Sequence, residues 1–99
     1  MSGEPAYRLR RSARYRTVLG EGLALDQASA RLHVLNPAGA AVLEALAAGP
    51  RTPSELAGIL SRRFEVEPER ALEDVVAFLR EAETAGLVEP VTGGTSPRE

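Results

Sequence analysis

Three prolines divide the second half of this 99-residue chain into segments with helical spacing of apolar residues. They are Pro37, Pro53 and Pro68. Proline lacks an amide hydrogen, so it is accepted at the first position of a helix and excluded from the interior. The second half of the chain is therefore predicted to fold as three successive helices, each beginning at one of these prolines.

The residues beside the prolines support these boundaries. Asn36 can cap the first helix, and Gly49 stands just past its end. The stretch from Thr52 to Glu55 is a capping box that starts the second helix. Gly86 ends the third helix, whose start is less well defined because Glu67 is a poorer cap.

The apolar spacing of the first two helices predicts which side faces the core. The positions expected to be buried are Val42, Leu43 and Leu46 on the first helix, and Leu56, Ile59, Leu60 and Phe64 on the second.

The third helix carries two neighbouring apolar stripes. One contains Leu72, Val75, Val76 and Leu79, and the other contains Ala71, Val75, Phe78 and Ala82. Both stripes suit a core, and we expect Leu72, Val76 and Leu79 to be buried. A helix in a domain this small rarely has two buried sides, so Phe78 is left open between a core position and an exposed one.

The first half of the chain is predicted to form strands. Arg14 to Leu19 is rich in β-branched and aromatic residues, and Leu23 to Gln27 and Arg31 to Leu35 alternate. Turn-forming residues at Gly20 to Gly22 and at Ala28 to Ala30 separate them. Such short connections favour an antiparallel meander.

Alternation also predicts the faces of the strands. Leu23 and Leu25 share one face of the second strand, while Leu32 and Val34 are expected to point inward on the third. Arg31, His33 and Leu35 are then expected to point outward. The predicted fold class is α+β and winged-helix-like, with a three-stranded antiparallel sheet followed by a three-helix bundle. The domain is expected to span residues 6–91, between a flexible N-terminus at 1–5 and a disordered tail at 92–99.

Composition excludes several classes of function. There is no cysteine and His33 is the sole histidine, so neither a metal site nor a nucleophile with its base is expected. No phosphate-binding loop and no cofactor site is apparent. The chain is therefore predicted not to be an enzyme. It has no apolar run long enough to span a membrane and no signal peptide, so the cytoplasm is the expected compartment.

Nucleic acid is a poor partner for this chain, although a winged-helix transcriptional regulator stays open as the alternative. The net charge is −2, and the third helix would place Glu69, Glu73, Asp74 and Glu81 near phosphates. An interaction module fits better, because an edge of the three-stranded meander has unpaired backbone groups that an incoming peptide can pair with.

The order of several short motifs resembles one known family. A strand ending in Leu35-Asn36 leads into a small-residue helix at Gly39 to Ala41. A Thr-x-x-Glu-Leu helix follows at Thr52 to Leu56, then an Asp-Val-x-x-Phe-Leu core at Asp74 to Leu79, and finally Gly-Leu-Val at Gly86 to Val88. This arrangement is similar to the PqqD-like family, the peptide-binding recognition elements of ribosomal natural-product (RiPP) pathways.

The resemblance implies a function and a site. The protein would bind the leader segment of a precursor peptide, which adds as a strand beside the third strand and against the third helix. By position, the implied contact residues are Arg31, Leu32, His33, Val34 and Leu35 on the strand, and Ala71, Asp74, Val75 and Phe78 on the helix.

The resemblance also implies an enzyme partner. This is a radical-SAM enzyme in pyrroloquinoline quinone synthesis, or a cysteine-protease-type leader peptidase in lasso-peptide synthesis. The stretch GLALDQASARLHVLNPAGA looks slightly closer to the lasso type.

Overall fold

The computed structural model describes residues 4–18 and 21–91. Its elements in chain order are β1 (Tyr7–Leu9), β2 (Ala13–Val18), β3 (Glu21–Asp26), β4 (Arg31–Leu35), α1 (Pro37–Ala48), α2 (Pro53–Phe64), α3 (Pro68–Thr84) and β5 (Val88–Pro90). The predicted α+β class, with three antiparallel strands followed by three helices, is confirmed.

The expected tail at 92–99 and most of the expected flexible N-terminus lie outside the described residues. Glu4 accepts hydrogen bonds from the amide and hydroxyl of Ser54, so contacts begin before the predicted boundary at residue 6.

All three helices begin at the predicted prolines, for the predicted local reasons. The side-chain oxygen of Asn36 accepts a hydrogen bond from the amide of Gly39 at 2.7 Å. The capping box of α2 is closed in both directions, by a 3.2 Å bond to the Thr52 hydroxyl and a 2.9 Å bond to the Glu55 carboxylate. Glu67 makes no side-chain capping bond, as its residue type indicates.

Strands β2, β3 and β4 form the expected meander. β3 lies in the middle, with Ala24 opposite His33 and Leu25 opposite Leu32. β3 also begins at Glu21, so Gly22 lies inside the strand and not in the turn that was predicted. Within the described part of the chain β4 pairs with β3 alone, which leaves its other backbone edge free.

A second, two-stranded sheet was not anticipated. β1 pairs antiparallel with β5, and Arg8 and Glu89 form an exposed salt bridge of 2.8 Å across them. The amide of Tyr7 also donates to the carbonyl of Arg51 at 2.7 Å. Strands of three residues are too short to show alternation, so the sequence carried no signal for this sheet. The pairing fixes the end of α3 against the start of the chain.

The sheet faces the helices with its small residues, which overturns one prediction. Leu32 and Val34 were expected to point inward, yet 63% and 69% of their surfaces are exposed. Gly22 and Ala24 lie inward instead. A Cβ atom added to Gly22 would lie 2.6 Å from that of Ala40, so α1 approaches β3 too closely for larger side chains.

The core follows the predicted face of α1 and part of the predicted faces of α2 and α3. Leu43, Leu56 and Val75 are fully buried. Val76 was expected in the core but is 37% exposed, and Leu72 is only partly buried. The buried face of α3 instead combines Ala71, Val75 and Ala82 of the second stripe with Leu79 of the first, which was expected to be buried. Phe64, at the end of α2, was also expected to be buried and is 38% exposed. The alanines occupy the buried face of α3, in place of the larger Leu72 and Val76, because their small side chains let the helix pack close to its neighbours.

Asp26 holds the turn between β3 and β4. The hydroxyl of Ser29 donates to Asp26 Oδ2 at 2.9 Å, and the amide of Ala28 donates to Oδ1 at 3.1 Å. The Ser29 hydrogen bond lowers the pKa of the Asp26 carboxyl below its ordinary value of 3.8, against the opposing effect of burial. The ionised form is thus the one that the fold stabilises.

We expect the Asp26→Asn variant to show a weaker dependence of stability on acid than the wild type. Because the folded pKa of Asp26 is depressed, its contribution is fully present above the unfolded pKa of about 4 and is lost as the pH falls through the folded value. Thermal unfolding at pH 7 and pH 3 measures this. Equal losses of melting temperature in both proteins would contradict this role of Asp26.

Candidate functional site: a groove between the edge strand and the third helix

Two adjoining clefts run along the free edge of β4 and the exposed side of α3. One, of about 190 Å³, lies between β4 and the C-terminal half of α3. The other, of about 310 Å³, lies between α1 and the middle of α3. Asn36, Phe78 and Glu81 line both, so the clefts form one continuous groove.

Phe78 is the centre of this groove. Its side chain is half-buried, and it packs against the core while it lines both clefts. The ring lies against the backbone of Gly39, where an added Cβ would be 2.7 Å from the ring carbon Cε1. The sequence left open whether Phe78 is a core residue or an exposed one. In the structure it is both, because the ring contacts the core and also lines the groove.

The structure brings together only some of the predicted site residues. His33, Val34 and Leu35 line the cleft beside β4, and Asp74 lines the cleft beside α1. Phe78 joins them.

Two of the predicted helix contacts are wrong. Ala71 is 1% exposed and Val75 is 0% exposed, so neither side chain can touch a ligand directly. They belong to the stripe of α3 that faces the core. Arg31 and Leu32 line neither cleft of the groove.

Other residues of the groove were not anticipated. Ala77, Glu81, Ala82 and Ala85 of the α3 region line it, as does Gly39 of α1. Glu81, Ala82 and Ala85 follow Phe78 by three, four and seven positions, the spacing of one helical face. That spacing was a usable signal, because small residues beside one large aromatic leave space on a helix surface.

The polar groups of the groove are few. Both ionisable side chains of α3 that line it, Asp74 and Glu81, are acidic, and no arginine lines either cleft. Within residues 4–18 and 21–91, Nε2 of His33 is a buried side-chain nitrogen with no hydrogen-bond partner. Such a nitrogen costs free energy unless a partner arrives, so it suits a polar group supplied by a ligand.

The described residues contain no group of three metal-binding side chains, and none of their helices is long and apolar enough to cross a membrane. What the groove offers is an unpaired strand edge beside an apolar floor. An extended peptide can pair with such an edge while alternate side chains enter the clefts.

Known proteins resemble this chain in sequence and in fold. The family model of coenzyme PQQ synthesis protein D (PqqD) matches residues 21–88. No curated protein matches the chain. A lasso peptide synthetase B1, solved in complex with the leader peptide, is 26% identical, with a TM-score of 0.73 over 85% of this chain and 98% of its own.

Two further solved structures are similar. A PqqD truncation of Methylobacterium extorquens PqqCD, a functional and stand-alone RiPP recognition element, is 26% identical, with a TM-score of 0.73 over 89% of this chain and 93% of its own. TbiB1 in complex with the TbiA(beta) leader peptide has a TM-score of 0.76, covers 86% of this chain and 98% of its own, and at 18% identity supports the fold alone.

Proposed function

Because this chain belongs to the family of coenzyme PQQ synthesis protein D (PqqD), we propose that it binds the leader segment of a ribosomally synthesised precursor peptide and delivers the precursor to an enzyme. The observation that carries the proposal is the free edge of β4 beside the groove centred on Phe78. The solved complex of a lasso peptide synthetase B1 with its leader supports the same kind of ligand.

In the proposed complex the leader extends the three-stranded sheet by one strand. Its backbone pairs with the free amide and carbonyl groups of β4, which gives affinity that tolerates changes of sequence. Its alternate side chains enter the groove, and an apolar anchor against Phe78 supplies most of the selectivity. The protein itself carries out no chemistry in this proposal, since it only holds the leader in a fixed position.

The charges of the groove favour particular leader residues. Asp74 and Glu81 stand at its wall and would repel a carboxylate of the leader. The unpaired Nε2 of His33 can be satisfied by a hydroxyl, an amide or a backbone group. We therefore expect the docked segment to combine one or two apolar anchors with neutral or basic neighbours.

For the pathway, we infer the lasso type ahead of pyrroloquinoline quinone synthesis. The stretch from β3 to the start of α1, GLALDQASARLHVLNPAGA, is the basis of that preference. The enzyme partner is then a cysteine-protease-type leader peptidase, and in the other pathway it is a radical-SAM enzyme.

One experiment separates this function from DNA binding. The purified chain is titrated by calorimetry with the leader encoded by a short reading frame beside its gene, with a scrambled leader, and with random duplex DNA at low salt. We expect the authentic leader to bind and the scrambled one to bind more weakly, because only the first places its anchors in the groove. Appreciable DNA binding with a steep salt dependence, and no leader binding, would show that the chain is a DNA reader.

A further inference from the structure

The imidazole of His33 lies on the helix side of the sheet, beside the free edge of β4. His33 is paired with Ala24 of β3, which is 1% exposed, and residues directly opposite each other in a sheet share a face. The side chain is half-buried and lines the cleft between β4 and α3. Its Nε2 is buried and, among the described residues, has no hydrogen-bond partner.

This unpaired nitrogen is unfavourable for the folded protein. A buried polar atom without a partner loses its hydrogen bonds to water and gains none in return. Ala82, Ala85 and Leu87 line the same cleft, and their side chains have no hydrogen-bonding group. A leucine at position 33 would fill the space without that cost. A histidine here is therefore better explained by a polar group that a ligand brings than by the packing of the empty protein.

The position of His33 on β4 determines which leader residue it meets. In the proposed function the leader pairs with the free edge of β4, and neighbouring strands lie about 4.8 Å apart. The leader residue opposite His33 shares its face, so the side chain of that residue enters the cleft next to the imidazole. Because the ring is only half-buried, a turn about its Cβ–Cγ bond can bring Nε2 to this side chain without moving the strand.

The surroundings of the cleft select the group that pairs with Nε2. A leader carboxylate would be repelled by Asp74 and Glu81. The leader backbone is already used in pairing with β4, and a side-chain amide would bring a second polar group that also needs a partner. A hydroxyl both donates and accepts, so it pairs with either tautomer of the imidazole. Serine and threonine are also short enough for the spacing between adjacent strands.

We propose, on the basis of the proposed function, that His33 sets the specificity of the groove by forming a hydrogen bond through Nε2 with a serine or threonine of the leader. Alternation along the leader strand adds a constraint on sequence. The hydroxyl residue and the apolar anchor that contacts Phe78 both point to the helix side, so an even number of positions separates them. The leader of this protein therefore carries serine or threonine two or four positions from its apolar anchor.

The test measures by calorimetry how the protein distinguishes threonine from valine in the leader. The leader encoded by the short reading frame beside the gene is made as pairs of peptides, with threonine or valine at each docked position in turn. The two side chains have similar volumes and differ in the hydroxyl. The wild type is compared with His33→Leu, which removes the nitrogen, and with His33→Gln, which keeps a polar group. Arg31→Leu is the control, on the same strand but outside both clefts.

We expect the wild type to bind the threonine peptide about 10-fold more tightly than the valine peptide at one position, an even number of residues from the anchor. His33→Leu should lose this preference and bind the valine peptide within about 3-fold of the wild type. His33→Gln should keep part of the preference, and Arg31→Leu should keep all of it. The melting temperature of His33→Leu should equal or exceed that of the wild type, because an unpaired buried nitrogen is gone.

Three results would overturn the inference and leave the proposed function intact. The first is a wild type that binds the leader without preferring threonine at any docked position. The second is a preference that persists in His33→Leu, which would assign it to another residue. The third is a clearly lower melting temperature of His33→Leu together with an unchanged preference in His33→Ala, which would make His33 a residue of the core. Failure of the wild type to bind any peptide of the panel would instead contradict the proposed function.

Discussion

Replacing Phe78 by alanine is expected to weaken leader binding by about 2 kcal/mol, which is roughly 30-fold in the dissociation constant. The ring lines both clefts of the groove and is the largest apolar side chain among the residues that line them. Its removal leaves an anchor side chain of the leader without its partner. Calorimetric titration of the variant with the leader measures the loss directly.

The same variant should also be less stable, because Phe78 packs against the core. Truncation of a fully buried phenylalanine costs about 3–5 kcal/mol, and for this half-buried ring we expect about 2 kcal/mol in chemical denaturation. Val76→Ala on the same helix is the control, with small expected effects on both measurements. A large loss of stability with unchanged leader affinity would mean that Phe78 serves the core alone.

Replacing Gly39 by alanine is expected to destabilise the fold by about 1–3 kcal/mol and to disturb the groove at the same time. The new Cβ would lie 2.7 Å from Cε1 of Phe78 and 3.2 Å from Oδ1 of the capping Asn36. Either the ring or the start of α1 must move. Displacement of the ring alters the anchor position, so leader affinity should fall together with stability.

Gly58→Ala is the matched control for that experiment. Gly58 lies inside α2, and the nearest atom to an added Cβ is the flexible guanidinium of Arg62 at 3.6 Å. Alanine there should raise stability by about 0.5–1 kcal/mol through helix propensity, with no effect on the leader. If Gly39→Ala behaved like Gly58→Ala in both measurements, the close contact between α1 and the Phe78 ring would play no part in the groove.

The sequence predicted the features that depend on local hydrogen bonding. Asn36, Thr52 and Glu55 cap helices through atoms within three residues of each helix start, so the motif and the structure coincide. The meander followed in the same way from alternation and short turns. Order and direction of the three helices and of β2, β3 and β4 are therefore largely local properties of this chain, whereas the pairing of β1 with β5 is not.

The sequence did not predict correctly which face of β4 and which face of α3 pack against the core. Alternation shows that Leu32 and Val34 share a face, and it cannot show which face meets the helices. The answer depends on Gly22 and Ala24, whose small size lets α1 approach β3. The predicted burial of Val76 was wrong for a related reason. On α3 the alanines, and not the larger side chains, set the packing distance.

The candidate site was predicted in outline only, and its contacts with a ligand stay a prediction. The open edge of β4 and the position of Phe78 followed from the order of the elements and the family resemblance. Ala71 and Val75 were misplaced because residues one helical turn apart can lie on either side of the boundary between core and groove. That Nε2 of His33 is buried without a hydrogen-bond partner among the described residues is a property of the folded chain, which no local pattern reports.

The central claim is that the leader docks as an added strand on β4 against α3. The most direct test is a titration of isotopically labelled protein with the leader, followed by amide chemical shifts and hydrogen exchange. We predict that shift changes cluster on residues 31–35 and around Phe78, and that amides on the free edge of β4 gain protection. Changes confined to α2 and to residues 20–22, with β4 unchanged, would contradict the account.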